Sequence, residues 1–125
     1  MAKYVRWITH KGKEILFMDT PRVSGEEGIV AWEEMRQEIR KRPDVRLILI
    51  DTTDITLETK TMTKAKEVAA AVKSHPDTRL AFVGMTALQK STAQLIARGL
   101  GLEAHFCKTL EEGKDWLVAE ADNRE

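Results

Sequence analysis

Two runs of β-branched and aromatic residues open the chain. They cover positions 4–10 (YVRWITH) and 13–19 (KEILFMD), and only Lys11 and Gly12 separate them. A two-residue connection that contains glycine between two such runs is typical of a β-hairpin. The pattern therefore predicts that the sheet begins with two antiparallel strands.

Later strands have a different pattern, because they are short and continuously apolar. VRLILID (45–51) and RLAFVG (79–84) are the clearest, and a weaker run, EAHFCK (103–108), follows them. Continuous apolar runs of this length are typical of parallel strands that are covered on both faces. We expect 45–51 to be the central strand.

The first two helices are predicted by apolar residues at three- and four-residue spacing. One begins at a capping box formed by Ser24 and Glu27 and ends before Pro43. The other spans about 58–74, where a histidine-proline pair ends the pattern.

Two further helices complete the pattern. The third spans about 87–100, and its Leu88, Leu95 and Ile96 are predicted to face the core. The last begins at a second capping box, formed by Thr109 and Glu112.

The order of elements is therefore β-β-α-β-α-β-α-β-α in one domain that covers residues 1–125. Repeated strand-helix units form parallel sheets with helices on their faces. We predict a single-domain α/β sandwich whose five-stranded sheet is mixed but mostly parallel, with the first strand antiparallel to the rest.

Composition adds few constraints on function. The chain has 125 residues, and 20 lysines and arginines balance 20 aspartates and glutamates, which argues against nucleic acid as a partner. The apolar runs are too short to span a bilayer, and the first residues lack the apolar core of a signal peptide. The single cysteine, Cys107, cannot form an intramolecular disulfide. We expect a cytoplasmic protein without a transmembrane segment.

One segment is similar to a phosphate-binding loop. GMTALQKS (84–91) follows a strand and opens a helix, but Gln89 occupies the position of the second glycine. That glycine lets the loop amides surround the phosphates, so a side chain there disfavours nucleotide binding. A turn followed by a helix, with Lys90 and Ser91 in water, explains the same residues.

Asp51, Thr86 and Lys108 come at or just after the predicted ends of three consecutive parallel strands. Response-regulator receiver domains place a phosphoacceptor aspartate, a hydroxyl and a lysine at such positions, on the sheet edge where ligands bind. Receivers begin with a strand-helix unit and carry an acidic pair for magnesium after their first strand, whereas this chain begins with a hairpin and offers only Asp19, with Asp54 on a loop. The three residues remain candidates for lining a ligand groove.

His105 and Cys107 alternate on one face of the last predicted strand. Two ligands do not make a metal site, and no third ligand has suitable sequence spacing. We expect no metal ion and no other cofactor.

Four segments together resemble the SpoIIAA-like branch of the STAS superfamily of sulfate transporters and anti-sigma-factor antagonists. They are the opening hairpin, VRLILIDTTDIT, LAFVGMTALQK and FCKTLEEGKDWL, and they extend over nearly the whole chain. The resemblance implies a small cytoplasmic α/β domain that works by binding a partner and has no established enzymatic activity. In the anti-sigma antagonists, a partner kinase phosphorylates a serine or threonine at the start of the helix after the third strand, which breaks the complex.

That resemblance places Thr59, Lys60 and Thr61 where the family has an aspartate-serine pair. Neither threonine follows an aspartate, but a phosphate there would be stabilised by the amides and the dipole of a helix amino terminus. Thr59 and Thr61 are therefore the candidate phosphoacceptors. Helix capping by Thr56, Thr59 or Thr61 explains the same hydroxyls without a switch.

The leading hypothesis is a non-enzymatic regulatory or protein-interaction domain with an unknown protein partner, a homodimer being one option. Six threonines lie between Asp51 and Thr63, and we expect this segment and the start of the Thr86 helix to form the working surface. Its candidate residues are Asp51, Thr52, Thr53, Asp54, Thr56, Lys60, Thr86 and Lys108. The alternative is a small-molecule or nucleotide-binding domain, or a receiver-like phosphoacceptor, that uses the cleft at the carboxyl ends of the parallel strands.

Overall fold

The structure, a computed structural model, describes residues 4–19, 25–42, 44–53, 59–73 and 78–123. These residues form five strands and four helices in the order that the sequence predicts. The strands are β1 (Val5–His10), β2 (Lys13–Asp19), β3 (Leu47–Asp51), β4 (Arg79–Val83) and β5 (Glu103–Cys107). The helices are α1 (Gly25–Lys41), α2 (Thr59–Lys73), α3 (Ala87–Leu100) and α4 (Leu110–Asn123).

All five strands belong to one sheet, in the order β1-β2-β3-β4-β5. β1 is antiparallel to β2, and the remaining neighbours are parallel. β3 is central and buried along its whole length, as its apolar run predicts. The predicted fold class is confirmed.

The hairpin between β1 and β2 turns at Lys11 and Gly12. Both have positive φ, 51° and 80°, which is the backbone geometry of a type I′ turn. His10 and Lys13 pair directly across it. The two-residue connection in the sequence therefore sets the register of the first strand pair.

The helices are divided between the two faces of the sheet. On the first face, α1 and α2 pack over β2, β3 and β4, with Met35, Ile48 and Val72 in the buried cluster. On the second face, α4 is the one described helix that packs against the sheet, with Leu117 over the strands. Gly113 allows this close approach, since a Cβ there would lie 2.8 Å from Leu49 Cδ1.

α3 lies at the edge of the first face and turns its smaller side chains inward. Ala93, Ile96 and Ala97 border the sheet side of the helix, whereas Leu88 and Leu95 are 77% and 69% exposed. The prediction that both leucines face the core is therefore wrong. The inward surface uses alanines, which let the helix lie close to the sheet and leave the leucines on the outside.

No helix among the described residues combines the length and the apolar character that are needed to cross a membrane.

Candidate functional site

The carboxyl ends of β2, β3, β4 and β5 meet at one edge of the sheet. Asp19, Asp51, Val83 and Cys107 are successive cross-strand partners in this row. The Asp51 side chain is buried, and its Oδ1 accepts a hydrogen bond from the Thr53 amide at 3.0 Å. This bond turns the chain as it leaves β3, a common role of aspartate after a strand.

Thr52 and Thr53 have different surroundings. Thr52 is buried, and its hydroxyl donates to the Val83 carbonyl at 2.9 Å, so it supports the loop from inside the protein. Thr53 is exposed, and its backbone lies against Gly84, which has a φ of 81°. The two threonines thus connect the end of β3 to the end of β4.

Thr86 is the N-cap of α3. Its hydroxyl accepts from the Gln89 amide at 3.2 Å, and the Gln89 side chain accepts from the Thr86 amide at 3.0 Å. This reciprocal capping box engages two amides that a phosphate-binding loop would offer to its ligand. Gln89, which replaces the loop's second glycine, is therefore a capping residue.

Lys108 follows β5 and is exposed. Its backbone amide donates to Glu112 Oε2 at 3.2 Å, and the Glu112 amide donates to the Thr109 hydroxyl at 3.1 Å. Thr109 therefore caps α4 as predicted, but the Glu112 carboxylate accepts from the Lys108 amide, where the predicted capping box has the Thr109 amide as donor. Lys108 lies at the same sheet edge as Asp51 and Thr86, because all three follow or end neighbouring parallel strands.

The candidate phosphoacceptors lie at the beginning of α2. Thr59, Lys60 and Thr61 are the first three residues of the helix, and its first turn contains no acidic residue. Asp54 and Thr56 lie outside the described residues.

A mostly apolar cavity of about 70 Å³ lies between α2, α3 and the first face of the sheet. Met62, Val68, Phe82 and Ile96 are among its lining residues. Trp32 also lines it, and this side chain is 4% exposed with no hydrogen-bond partner for its indole N–H among the described residues. Buried polar atoms are nearly always hydrogen-bonded, so an unpartnered indole donor beside a cavity is notable.

Sequence reasoning missed the part that Glu112 plays beside β5. The carboxylate of Glu112, the imidazole of His105 and the thiol of Cys107 place one ligand atom each within 4.8 Å of one another. Burial, and to a lesser degree the charge of Glu112, raise the pKa of Cys107 to about 11. Part of the signal is in the sequence, since His105 and Cys107 alternate on one face of β5, but helix capping accounts for Glu112 without placing it beside them.

Comparison with known proteins bears on the fold. No protein-family model matches the sequence, and no curated protein matches it at a significant level. Among solved structures, the chain is similar to an uncharacterized protein of the DUF3478 family from Shewanella loihica that is described as having a SpoIIAA-like fold. The TM-score is 0.67 at 16% sequence identity, over 90% of this chain and 91% of that chain. An identity this low carries information on the fold alone, and on that ground the chain has the SpoIIAA-like fold that its sequence predicts.

Proposed function

We propose that this chain is a non-enzymatic protein-interaction domain that binds an acidic amphipathic segment of a partner protein along α3. The observation that carries the proposal is the exposure of Leu88 and Leu95. They are seven residues apart, so both lie on one stripe of the helix. Covering a leucine side chain fully contributes about 1.5–3 kcal/mol, so this stripe favours a partner that covers it.

The distribution of charge defines the partner's chemistry. α3 carries Lys90 and Arg98 and no acidic residue, and the neighbouring α2 carries four lysines with Glu67 as its single acid. α4, on the opposite face, has five acidic residues and one lysine. α1, on the same face as α2, carries five acidic and three basic residues, and its Glu33 pairs with Lys64 of α2. The positive charge is therefore concentrated on α2 and α3, which favours an acidic partner there and disfavours a second copy of α3.

Phosphorylation of Thr59 or Thr61 is the regulatory input that we propose for this surface. A phosphate there would lie at the amino terminus of α2, where backbone amides and the helix dipole favour an anion. It would add roughly −1.5 to −2 charges to a lysine-rich helix and so weaken the attraction for an acidic partner. Intact mass after incubation with ATP and a kinase-containing lysate tests this, with Thr59→Ala, Thr61→Ala and Asp51→Asn as variants. A mass gain that the double variant Thr59→Ala/Thr61→Ala retains would show that neither threonine is the phosphoacceptor.

A designed peptide tests the interaction directly. It carries leucines at three- and four-residue spacing with glutamates between them, and fluorescence anisotropy measures its binding to the full chain. We expect the double variant Leu88→Ser/Leu95→Ser to bind at least tenfold more weakly and to unfold at the same urea concentration, because both leucines are exposed. Val30→Ser is the matched control, since Val30 is also exposed but lies on α1.

Three outcomes would overturn the proposal. Equal binding of the double variant would remove the leucines from the interface. Leucine-dependent self-association in analytical ultracentrifugation would make a second copy the occupant. Binding to anionic vesicles but not to the peptide would make a membrane surface the occupant.

The cavity beside Trp32 favours a second candidate function, the binding of a small apolar molecule that carries a hydrogen-bond acceptor. Its volume of about 70 Å³ is roughly half that of an engineered cavity that holds benzene, so a short aliphatic group fits without opening the helices. Thermal unfolding in the presence of short-chain carboxylic acids and amides tests this function. We expect a rise in Tm that Trp32→Phe reduces, because phenylalanine keeps the ring but lacks the donor, and an unchanged Tm for every compound argues against it.

A further inference from the structure

The cluster of His105, Cys107 and Glu112 has the composition of a transition-metal site. An imidazole, a thiol and a carboxylate are the three kinds of side chain that bind Zn²⁺ in proteins, and their ligand atoms lie within 4.8 Å of one another. Tetrahedral zinc with its usual bond lengths places ligand atoms about 3.3–3.6 Å apart. Closing the cluster around an ion therefore needs side-chain movements of about 1 Å, which the rotamers of histidine and glutamate can provide.

The backbone places these three residues together through two rigid elements. His105 and Cys107 are alternate residues of β5, which pairs with β4 along its whole length. Glu112 lies in the first turn of α4, which Gly113 brings into contact with the sheet. A site on a strand and a helix is held more precisely than one on loops.

Neighbouring groups also orient the ligands. The His105 ring stacks on Trp116 of α4, with ring centroids 4.6 Å apart and an interplanar angle of 12°. The Lys108 amide donates to one oxygen of Glu112, which leaves the other oxygen available to an ion. Such outer contacts fix ligand orientation in established metal sites.

We propose that His105, Cys107 and Glu112 bind one Zn²⁺ ion per chain, with a fourth position open to water or to a donor from a partner. The mixed nitrogen, sulfur and oxygen set favours zinc or cobalt over magnesium and calcium, which prefer oxygen ligands alone. On binding, Cys107 coordinates as the thiolate and its proton passes to solvent. The site lies on the face that α4 covers, away from α3, so its test is independent of the proposed protein interaction.

Cobalt is the probe, because thiolate-bound Co²⁺ has an intense near-ultraviolet charge-transfer absorption. Titration of the chelator-treated full chain is expected to saturate at one Co²⁺ per chain, and Zn²⁺ is expected to displace the cobalt. Cys107→Ser should abolish the absorption, and His105→Asn and Glu112→Gln should each weaken binding at least tenfold. Glutamine still accepts the Lys108 amide bond, so Glu112→Gln keeps the cap of α4.

Two further variants serve as controls. Glu111→Gln changes an exposed neighbour of Glu112, and His10→Asn changes the histidine that pairs with Asp115 of α4 at 2.8 Å. Both are expected to bind Co²⁺ as the unchanged chain does. Thermal unfolding with and without Zn²⁺ gives a second measurement, and only the three proposed ligands should reduce the zinc-dependent rise in Tm. The proposal is overturned if no thiolate absorption develops at millimolar Co²⁺, or if His10→Asn removes binding while Glu112→Gln keeps it.

Discussion

Gly84 and Thr53 are in direct contact across the ends of β3 and β4. A Cβ at residue 84 would lie 2.2 Å from Thr53 Oγ1 and 3.0 Å from the Thr53 backbone nitrogen. Gly84 also has a positive φ, which side chains rarely adopt. The contact fixes Thr53, just after β3, relative to the turn that precedes α3.

Gly84→Ala should therefore lower the free energy of unfolding. Backbone strain and the contact with Thr53 together are expected to cost about 3 kcal/mol. Urea unfolding measures the effect, and Gly99→Ala is the matched control because, in the part of the chain that the structure describes, a Cβ there meets nothing within 4 Å beyond its adjacent residues and the nearby backbone of its own helix. Gly99→Ala should be stabilising by about 0.5–1 kcal/mol. Equal free energies of unfolding for the two variants would contradict the close contact between Gly84 and Thr53.

Acid stability should depend on Glu33, which connects α1 to α2. Hydrogen bonds from Arg36 first, and then from Lys64, hold the pKa of Glu33 at about 2, below its ordinary value of 4.5. Because the folded pKa is the lower one, the ion pairs stabilise the protein above pH 4.5, and this contribution is lost as the pH falls through 2. The urea midpoint of the unchanged chain should therefore decline as the pH falls from 4.5 to 2. We expect this decline to be smaller in Glu33→Gln. Glu26→Gln, at an exposed position of the same helix, should leave the decline unchanged.

Alkaline stability should depend on Cys107 in metal-free protein. Burial and then the charge of Glu112 raise the pKa of its thiol from 9.0 to about 11. A raised folded pKa means that the contribution to stability is complete below pH 9 and is lost as the pH rises through 11. Urea midpoints of unfolding, measured from pH 8 to 11.5, should fall more steeply with pH for the unchanged chain than for Cys107→Ala. Parallel curves would contradict the buried, protonated thiol.

The sequence predicts the secondary structure and the sheet well, because each element carries its own local signal. Lys11 and Gly12 specify the hairpin, the continuous apolar run before Asp51 specifies a covered strand, and Thr86 specifies a helix start. The surface of α3 was predicted wrongly because Leu88 and Leu95 have the spacing of a core stripe. Helical periodicity identifies an apolar face but does not say whether that face is covered by this chain or by another molecule.

The candidate sites were harder to predict because they depend on contacts between distant elements. Glu112 already had a local explanation as a capping residue, so its position beside His105 became evident only from the packing of α4 on β5. Trp32 has the periodicity of a core residue, and nothing in the sequence indicates that its N–H lacks a partner among the described residues.

The central claim is that α3 is the binding surface of this domain. Amide hydrogen exchange of the full chain, with and without a saturating concentration of the acidic amphipathic peptide, tests it most directly. We expect added protection of the amides within residues 87–100, and we expect Leu88→Ser/Leu95→Ser to lose it. Protection confined to β5 and α4, or added protection that persists in the double variant, would contradict it.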